Sequence, residues 1–206
     1  MNVWRDRLQA WFTPLAQRIP LSPNAITVIA LLINVAAAAA LASAAQRPSL
    51  FVAGVVLLTI GGLADALDGI VARVRGLESA FGDFLDHCAD RLSDVLLAAG
   101  WCIGSGVAHW ITLTVAIAVL LNGYVGTQLE ATWHARDYTT VGRGEFVLAL
   151  VVYPIVSYIL ADNGWGGVVA GAFTIAELMA LLLIAFAVLG IVQRIRLAAS
   201  LETTPR

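Results

Sequence analysis

Lysine is missing altogether, and all 12 basic residues of this 206-residue chain are arginine. Charge of either sign is scarce, at 13% of residues against about a quarter in soluble domains, while 60% are hydrophobic and the mean hydropathy is +0.85. That composition excludes an ordinary soluble domain. The net charge of −2 says little, because the excess acid is expected inside the membrane; no nucleic-acid partner is expected. Cysteine is nearly absent. Cys88 and Cys102 fall on one predicted helix, fourteen residues or roughly 21 Å apart, which excludes a bridge within the chain and leaves two small buried residues. A signal peptide is not expected, because the first long apolar run starts only after about twenty mixed residues. Internal repeats and low-complexity segments are lacking too.

What is present is apolar helix. Runs of about 18 residues or more can span a hydrocarbon core of roughly 30 Å. Six occur, at about 24–46, 49–72, 84–103, 107–128, 144–162 and 167–192. Ahead of them, Trp4, Leu8, Trp11, Phe12 and Leu15 recur at helical spacing with polar residues around the rest of the wheel, which predicts an amphipathic helix lying in the membrane interface. The expected fold is an all-α membrane protein of one domain, residues 1–206, with an interfacial helix over 1–20 and a six-helix bundle over 23–196. Ser22 is placed to cap the first span and Pro23 suits its first helical position. Arginines precede the first span, surround the turn between spans two and three, and flank spans four to six, with Arg47 alone on the other side. By the positive-inside rule the chain sits in the cell membrane with both termini and the 73–79 turn in the cytoplasm. Trp101, Trp110 and Trp165 are expected in the opposite aromatic belt.

Four aspartates interrupt the apolar pattern. Asp65 and Asp68 are three apart on one predicted helix, and Asp86 and Asp90 are four apart on the next, so each pair shares a face. Counted from the turn at Arg75-Gly76-Leu77-Glu78, all four lie roughly 12–21 Å along their helices, so the two faces meet at similar depth if the helices pack. Carboxylates brought together repel, and some stay protonated unless a cation neutralises them. An all-oxygen site on rigid helices suits a hard divalent ion, and two ions would balance four charges. The same residues also suit a proton relay or ion pathway in a transporter.

Written out, residues 65–90 read D-x-x-D-G-x-x-A-R-x(8)-G-x-x-x-D-x-x-x-D, from Asp65, Asp68, Gly69, Ala72 and Arg73 to Gly82, Asp86 and Asp90. All eight defined positions resemble the signature of the CDP-alcohol phosphotransferase family, a match expected by chance on the order of 10⁻¹⁰ per start site. Six spans behind an interfacial helix are similar to that family's architecture. The resemblance implies a metal-dependent enzyme that cleaves the diphosphate of a CDP-linked lipid donor, of CDP-diacylglycerol or CDP-archaeol type. It transfers the phosphatidyl unit to the hydroxyl of a small polar alcohol and releases CMP. It implies two Mg²⁺ or Mn²⁺ ions, with Asp65, Asp68 and Asp86 as core metal ligands. Asp90 closes the second metal site and is the favoured general base. Asn24, Thr27, Gly69, Ala72, Arg73, Ser79 and Gly82 are implied around the nucleotide and diphosphate, and a homodimer is the implied assembly among membrane lipids. An acidic stripe in an ion or proton transporter remains the competing class, distinguished by flux without nucleotide.

The acceptor is less defined. Synthases of phosphatidylinositol phosphate carry S-Y-x-K-A-R-A-E on span four, whereas the matching stretch Gly123–Glu130 has Gly126 and Gln128 at the two basic positions. That departure argues against inositol phosphate as the acceptor. Gln128, Arg136, Arg143 and Arg194 are the candidate acceptor-binding residues. His87, in "LDHCAD", resembles the choline and ethanolamine phosphotransferases and supports the alternative of a soluble CDP-alcohol donor with a diradylglycerol acceptor.

Overall fold

The computed structural model describes residues 16, 18–133, 143–167 and 169–202. Among them run α1 (Pro23–Ala42), α2 (Ser49–Arg75), α3 (Ala80–Gly104), α4 (His109–Trp133), α5 (Arg143–Asp162), β1 (Val169–Ala170), β2 (Phe173–Thr174) and α6 (Ile175–Glu202). The interfacial helix expected over 1–20 lies outside the described residues apart from Ala16 and 18–20, and Arg136 lies outside them too. Five helices are long and apolar enough to cross a membrane: α1, α2, α4, α6, and α5 from Gly144 onward. Helix α3 has the length, but Asp83, Asp86, Asp90, Arg91 and Asp94 keep it out of that group.

Local chemistry sets the ends. Ser22 caps α1, its Oγ accepting from Ala25 N at 3.3 Å, with Pro23 following as the first helical residue. Helix α2 stops at Gly76, whose φ of 62° is left-handed, and Leu77 N returns to the Ala72 carbonyl at 2.8 Å. Two residues later Ser79 caps α3, accepting from Gly82 N at 3.0 Å. The last helix departs from expectation. It begins at Ile175 rather than near 167, because the intervening stretch turns at Gly171 (φ 70°) into an antiparallel hairpin pairing Val169 with Thr174 and Ala170 with Phe173. Thr174 and Glu177 then close a reciprocal box: Glu177 N donates to Thr174 Oγ1 at 3.1 Å, and Thr174 N donates to Glu177 Oε2 at 2.9 Å.

Helix α1 is the hub, packing extensively on both α2 and α3, while α2 and α3 touch one another little despite being joined by a short turn. Small residues allow the approach. A Cβ on Gly100 of α3 would meet the Ala38 carbonyl oxygen of α1 at 2.5 Å, and one on Gly54 of α2 would meet Leu41 Cγ at 2.6 Å. Beyond this trio α4 packs on α3 and α6, and α5 packs on α2. The main core draws on all six helices and includes Trp101 at 0% exposure. Trp101 therefore does not face outward in an aromatic belt. Its Nε1 donates to Ser157 Oγ on α5 at 3.0 Å, and its ring lies 5.1 Å from that of Tyr153. Cys88 is exposed and Cys102 buried, so only the second fits the expectation of a buried pair.

Candidate active site

Because α1 wedges between α2 and α3, the two aspartate-bearing helices are held apart at one end of the bundle, where α1 begins, α2 ends and α3 starts. A cavity of about 320 Å³ opens there. Its wall combines Pro23, Asn24 and Thr27 of α1, Asp68, Gly69, Ala72 and Arg73 of α2, the turn residues Leu77, Glu78 and Ser79, and Gly82, Asp83 and Asp86 of α3. Every residue expected around the nucleotide thus reaches one space. Pro23, Leu77, Glu78 and Asp83 line it as well and were not in that set. The sequence signal for Pro23, Leu77 and Glu78 is adjacency to the cap at Ser22 and to the 76–79 turn, and for Asp83 its place about one helical turn before Asp86.

Asp65, Asp68 and Asp86 converge across the gap: one carboxylate oxygen from each can be chosen so that all three lie within 4.8 Å of one another. Such a trio of oxygen donors, one buried and two half-buried, fits a hard divalent cation, which would relieve their mutual repulsion. Asp68 is also held from α1, where Thr27 Oγ1 donates to its Oδ2 at 2.5 Å. Asp90 lies one turn further along α3, buried, with Oδ2 at 3.9 Å from Arg91 Nη2, and is not among the three clustered carboxylates. Arg91 Nη1 sits 3.5 Å from Asp94 Oδ2, so one guanidinium serves two carboxylates on its own helix. It can lie there because the facing residue of α4 is Gly123, where a Cβ would stand 2.6 Å from Arg91 Cδ. Asp83 is exposed and pairs with His87 at 3.8 Å, which gives His87 a local partner.

Arg73, exposed at the mouth, lies back over Gly69: a Cβ there would be 3.5 Å from its Nη1. Arg75, two residues along, ties the segment leading into α1 to the end of α2, with Nη1 donating to the Leu21 carbonyl at 2.7 Å and the Ile19 carbonyl at 3.3 Å. The proposed acceptor residues are dispersed. Gln128 is exposed on α4 and bonds Thr132 at 3.4 Å, while Arg143 opens α5 with its side chain outside the described residues. Arg194 of α6 is buried and donates to both the carbonyl and the side-chain oxygen of Asn122 on α4. Its Nε would stand 3.3 Å from a Cβ on Gly126.

Residues 20–192 match the family profile described as CDP-alcohol phosphatidyltransferase. The archaetidylinositol phosphate synthase of Methanothermobacter thermautotrophicus is 30% identical over 160 residues, spanning 78% of this chain and 80% of that one. The enzyme of the same name from Pyrococcus horikoshii is 36% identical over 153 residues, spanning 70% and 78%. Among solved structures, the Mycobacterium tuberculosis phosphatidylinositol phosphate synthase with CDP-DAG bound superposes with a TM-score of 0.67 at 26% identity, over 90% of this chain and 92% of that one. The same synthase in complex with manganese and citrate gives 0.68 at 26% identity, over 90% and 88%.

Proposed function

The chain belongs to the CDP-alcohol phosphatidyltransferase family, and from that premise we propose how its cavity and aspartates carry out the transfer. The protein is a phospholipid-synthesising transferase that takes a CDP-linked lipid and an alcohol, passes the phosphatidyl unit to the alcohol's hydroxyl and releases CMP. One new phosphorus–oxygen bond forms to the acceptor as the bond to CMP breaks, and the hydroxyl proton leaves to a base. The observation that carries this reading is a single 320 Å³ cavity lined by Asp68 and Asp86 together with Asn24, Arg73, Ser79 and Gly82.

Within it each group has a task. Asp65, Asp68 and Asp86 would hold divalent metal, and we propose two ions, Mg²⁺ or Mn²⁺, with Asp90 completing the second site. Bound there, such ions supply charge neutralisation of the diphosphate and polarisation of its phosphorus. Arg73, at the cavity mouth, offers a planar pair of donors to phosphate oxygens. Asn24 and Ser79 flank Gly82, whose missing side chain lets a planar base approach the start of α3; this supports their assignment to the nucleotide. Asp90 is the proposed base for the acceptor hydroxyl, with Arg91 fixing its orientation.

We place the protein in the cytoplasmic membrane with α3 as the sixth span, supported by its 25 residues and its burial against α1. The arginine distribution supports both termini and the cavity mouth facing the cytoplasm. A homodimer rests on the family alone. The acceptor is a small polar alcohol. A phosphorylated alcohol is a second reading, favoured by one observation: Arg194 brings a guanidinium from α6 to the Gly126 position of α4, where span four itself lacks a cation. The relatives named for inositol phosphate products point the same way. Purified protein incubated with CDP-diacylglycerol and a panel of free and phosphorylated alcohols tests all of this by product mass. Metal-dependent CMP release with one acceptor supports it, whereas ion flux without nucleotide turnover would replace it with the transporter reading.

A further inference from the structure

We infer that Thr27 is a positioning residue of the metal site, acting through Asp68, rather than a contact of the nucleotide; the inference rests on the reading that Asp68 is a metal ligand. Thr27 sits in the second turn of α1, only 4% exposed, and Asp68 faces it from α2 at 6%. A β-branched residue in a helix has few χ1 choices, and threonine's are further selected by its hydroxyl. Here Oγ1 lies 3.2 Å from the Pro23 carbonyl of its own helix and 2.5 Å from Asp68 Oδ2 across the interface. A hydroxyl has one hydrogen to give. The shorter contact is to a carboxylate, the better acceptor, in the range of O–H···O⁻ bonds. The hydrogen therefore goes to Asp68, with the Pro23 carbonyl at 3.2 Å the more distant and weaker acceptor.

Two consequences follow. Thr27 lines the cavity but offers it no donor, so whatever of it reaches the cavity can only accept. The carboxylate of Asp68, in turn, cannot spin about its Cβ–Cγ bond without breaking a buried bond to another helix. The same bond joins α1 to α2 at the level where Asp65 and Asp86 converge. Ligand carboxylates held by a further hydrogen bond are the general pattern around metals, and losing that partner commonly weakens metal affinity by about 10–100-fold.

The test compares Thr27→Val, which keeps the shape and removes the hydroxyl, with Thr27→Ser, which keeps the hydroxyl. Asp68→Asn serves as the reference, and Thr27→Ala stands in if the valine variant does not fold. Free Mn²⁺ is titrated into each detergent-solubilised protein without nucleotide, and binding is read by electron paramagnetic resonance. The expected result is about a tenfold or greater rise in the Mn²⁺ dissociation constant for valine, with serine within about threefold of wild type. The KM for the CDP-lipid at saturating Mn²⁺ is expected to stay within twofold for both. Unchanged Mn²⁺ binding in the valine variant while Asp68→Asn loses it overturns the inference and leaves the metal site standing. A raised donor KM with unchanged Mn²⁺ binding overturns it in favour of a direct nucleotide contact. Absence of Mn²⁺ binding in the wild type, with Asp68→Asn no different, overturns both the inference and the metal reading beneath it.

Discussion

Replacing Asp86 by asparagine should make the metal-free protein more stable and the metal-loaded protein less so. Asp86 is the one member of the trio on α3, and it faces both carboxylates of α2. Their carboxylate oxygens lie within 4.8 Å of one another, and unit charges at that limit repel by about 3.5 kcal/mol at an effective dielectric of about 20. Neutralising Asp86 removes two of the three pairwise terms, about 7 kcal/mol before solvent screening. Solvent screening at the half-buried positions removes most of it, which leaves about 2–3 kcal/mol. For a chain of this size that corresponds to about 4–12 °C in melting temperature. The assay is thermal unfolding in detergent, first with a chelator and then with Mn²⁺ or Mg²⁺. Wild type should gain about 2.7 kcal/mol when metal is supplied at a hundred times its dissociation constant, and Asp86→Asn should gain little. The two curves therefore cross, and CMP release in the variant should fall by at least about a hundredfold. A metal-free variant that melts below wild type, together with an undiminished metal-induced shift, would refute the idea that like charges converge at this point.

Three further outcomes follow from contacts elsewhere. Gly82→Ala places a methyl 3.2 Å from Asn24 Oδ1 and 3.2 Å from Ser79 Oγ. It should raise the donor KM about tenfold while costing no more than the Ser79 cap, about 1 kcal/mol; an unmoved KM removes this edge of the cavity from nucleotide binding. Gly123→Ala drives a methyl against Arg91, 2.6 Å from Cδ and 3.0 Å from Cζ. The guanidinium must leave Asp90 and Asp94, and kcat should drop about tenfold or more at unchanged donor KM, measured by CMP release. Ser157→Ala removes the acceptor of the fully buried Trp101 indole N–H and should cost about 1–3 kcal/mol in thermal unfolding with activity per folded molecule preserved. Full activity with no loss of stability would mean that Trp101 finds another acceptor.

How far the molecule could be read in advance depended on whether the deciding interaction was local. The aspartates were legible because spacings of three and four residues dictate a shared helix face whatever surrounds it. The Ser22-Pro23 start and the Gly76 stop are likewise chemistry within one turn. The Thr174–Glu177 box was local too, but it sits inside an apolar stretch, and hydropathy alone extended the last span over the hairpin. Trp101 was misplaced for a different reason. An aromatic near the end of a span fits an interfacial belt and a buried ring equally well, and Ser157, which settles the matter, is 56 residues away. The wedge formed by α1 was not legible either. Two helices joined by a short turn are expected to pack on each other, and here the third fills the interface because Gly54 and Gly100 admit it.

The polar residues of α3 sort into two rows, and the difference between the rows explains why the site lies where it does. Further from the turn, Asp90 and Asp94 bracket Arg91 at 3.9 and 3.5 Å, and Ser93 accepts from Asn34 of α1 at 3.2 Å. That row sets acid against base and a hydroxyl against an amide, while Asn34 Oδ1 and Arg91 Nε are buried without a hydrogen-bond partner among the described residues. Nearer the turn, Asp86 meets Asp65 and Asp68, so acid faces acid. A row of like charge costs stability unless something from outside the chain compensates it, and the cavity beside it opens at the end of the bundle where an ion or a diphosphate can enter. The first row orients Asp90, the proposed base, through Arg91; the second leaves its charge to be balanced by what binds. Reversing Arg91 to glutamate should therefore unfold the bundle, whereas neutralising any one of the three clustered aspartates should leave it folded and inactive.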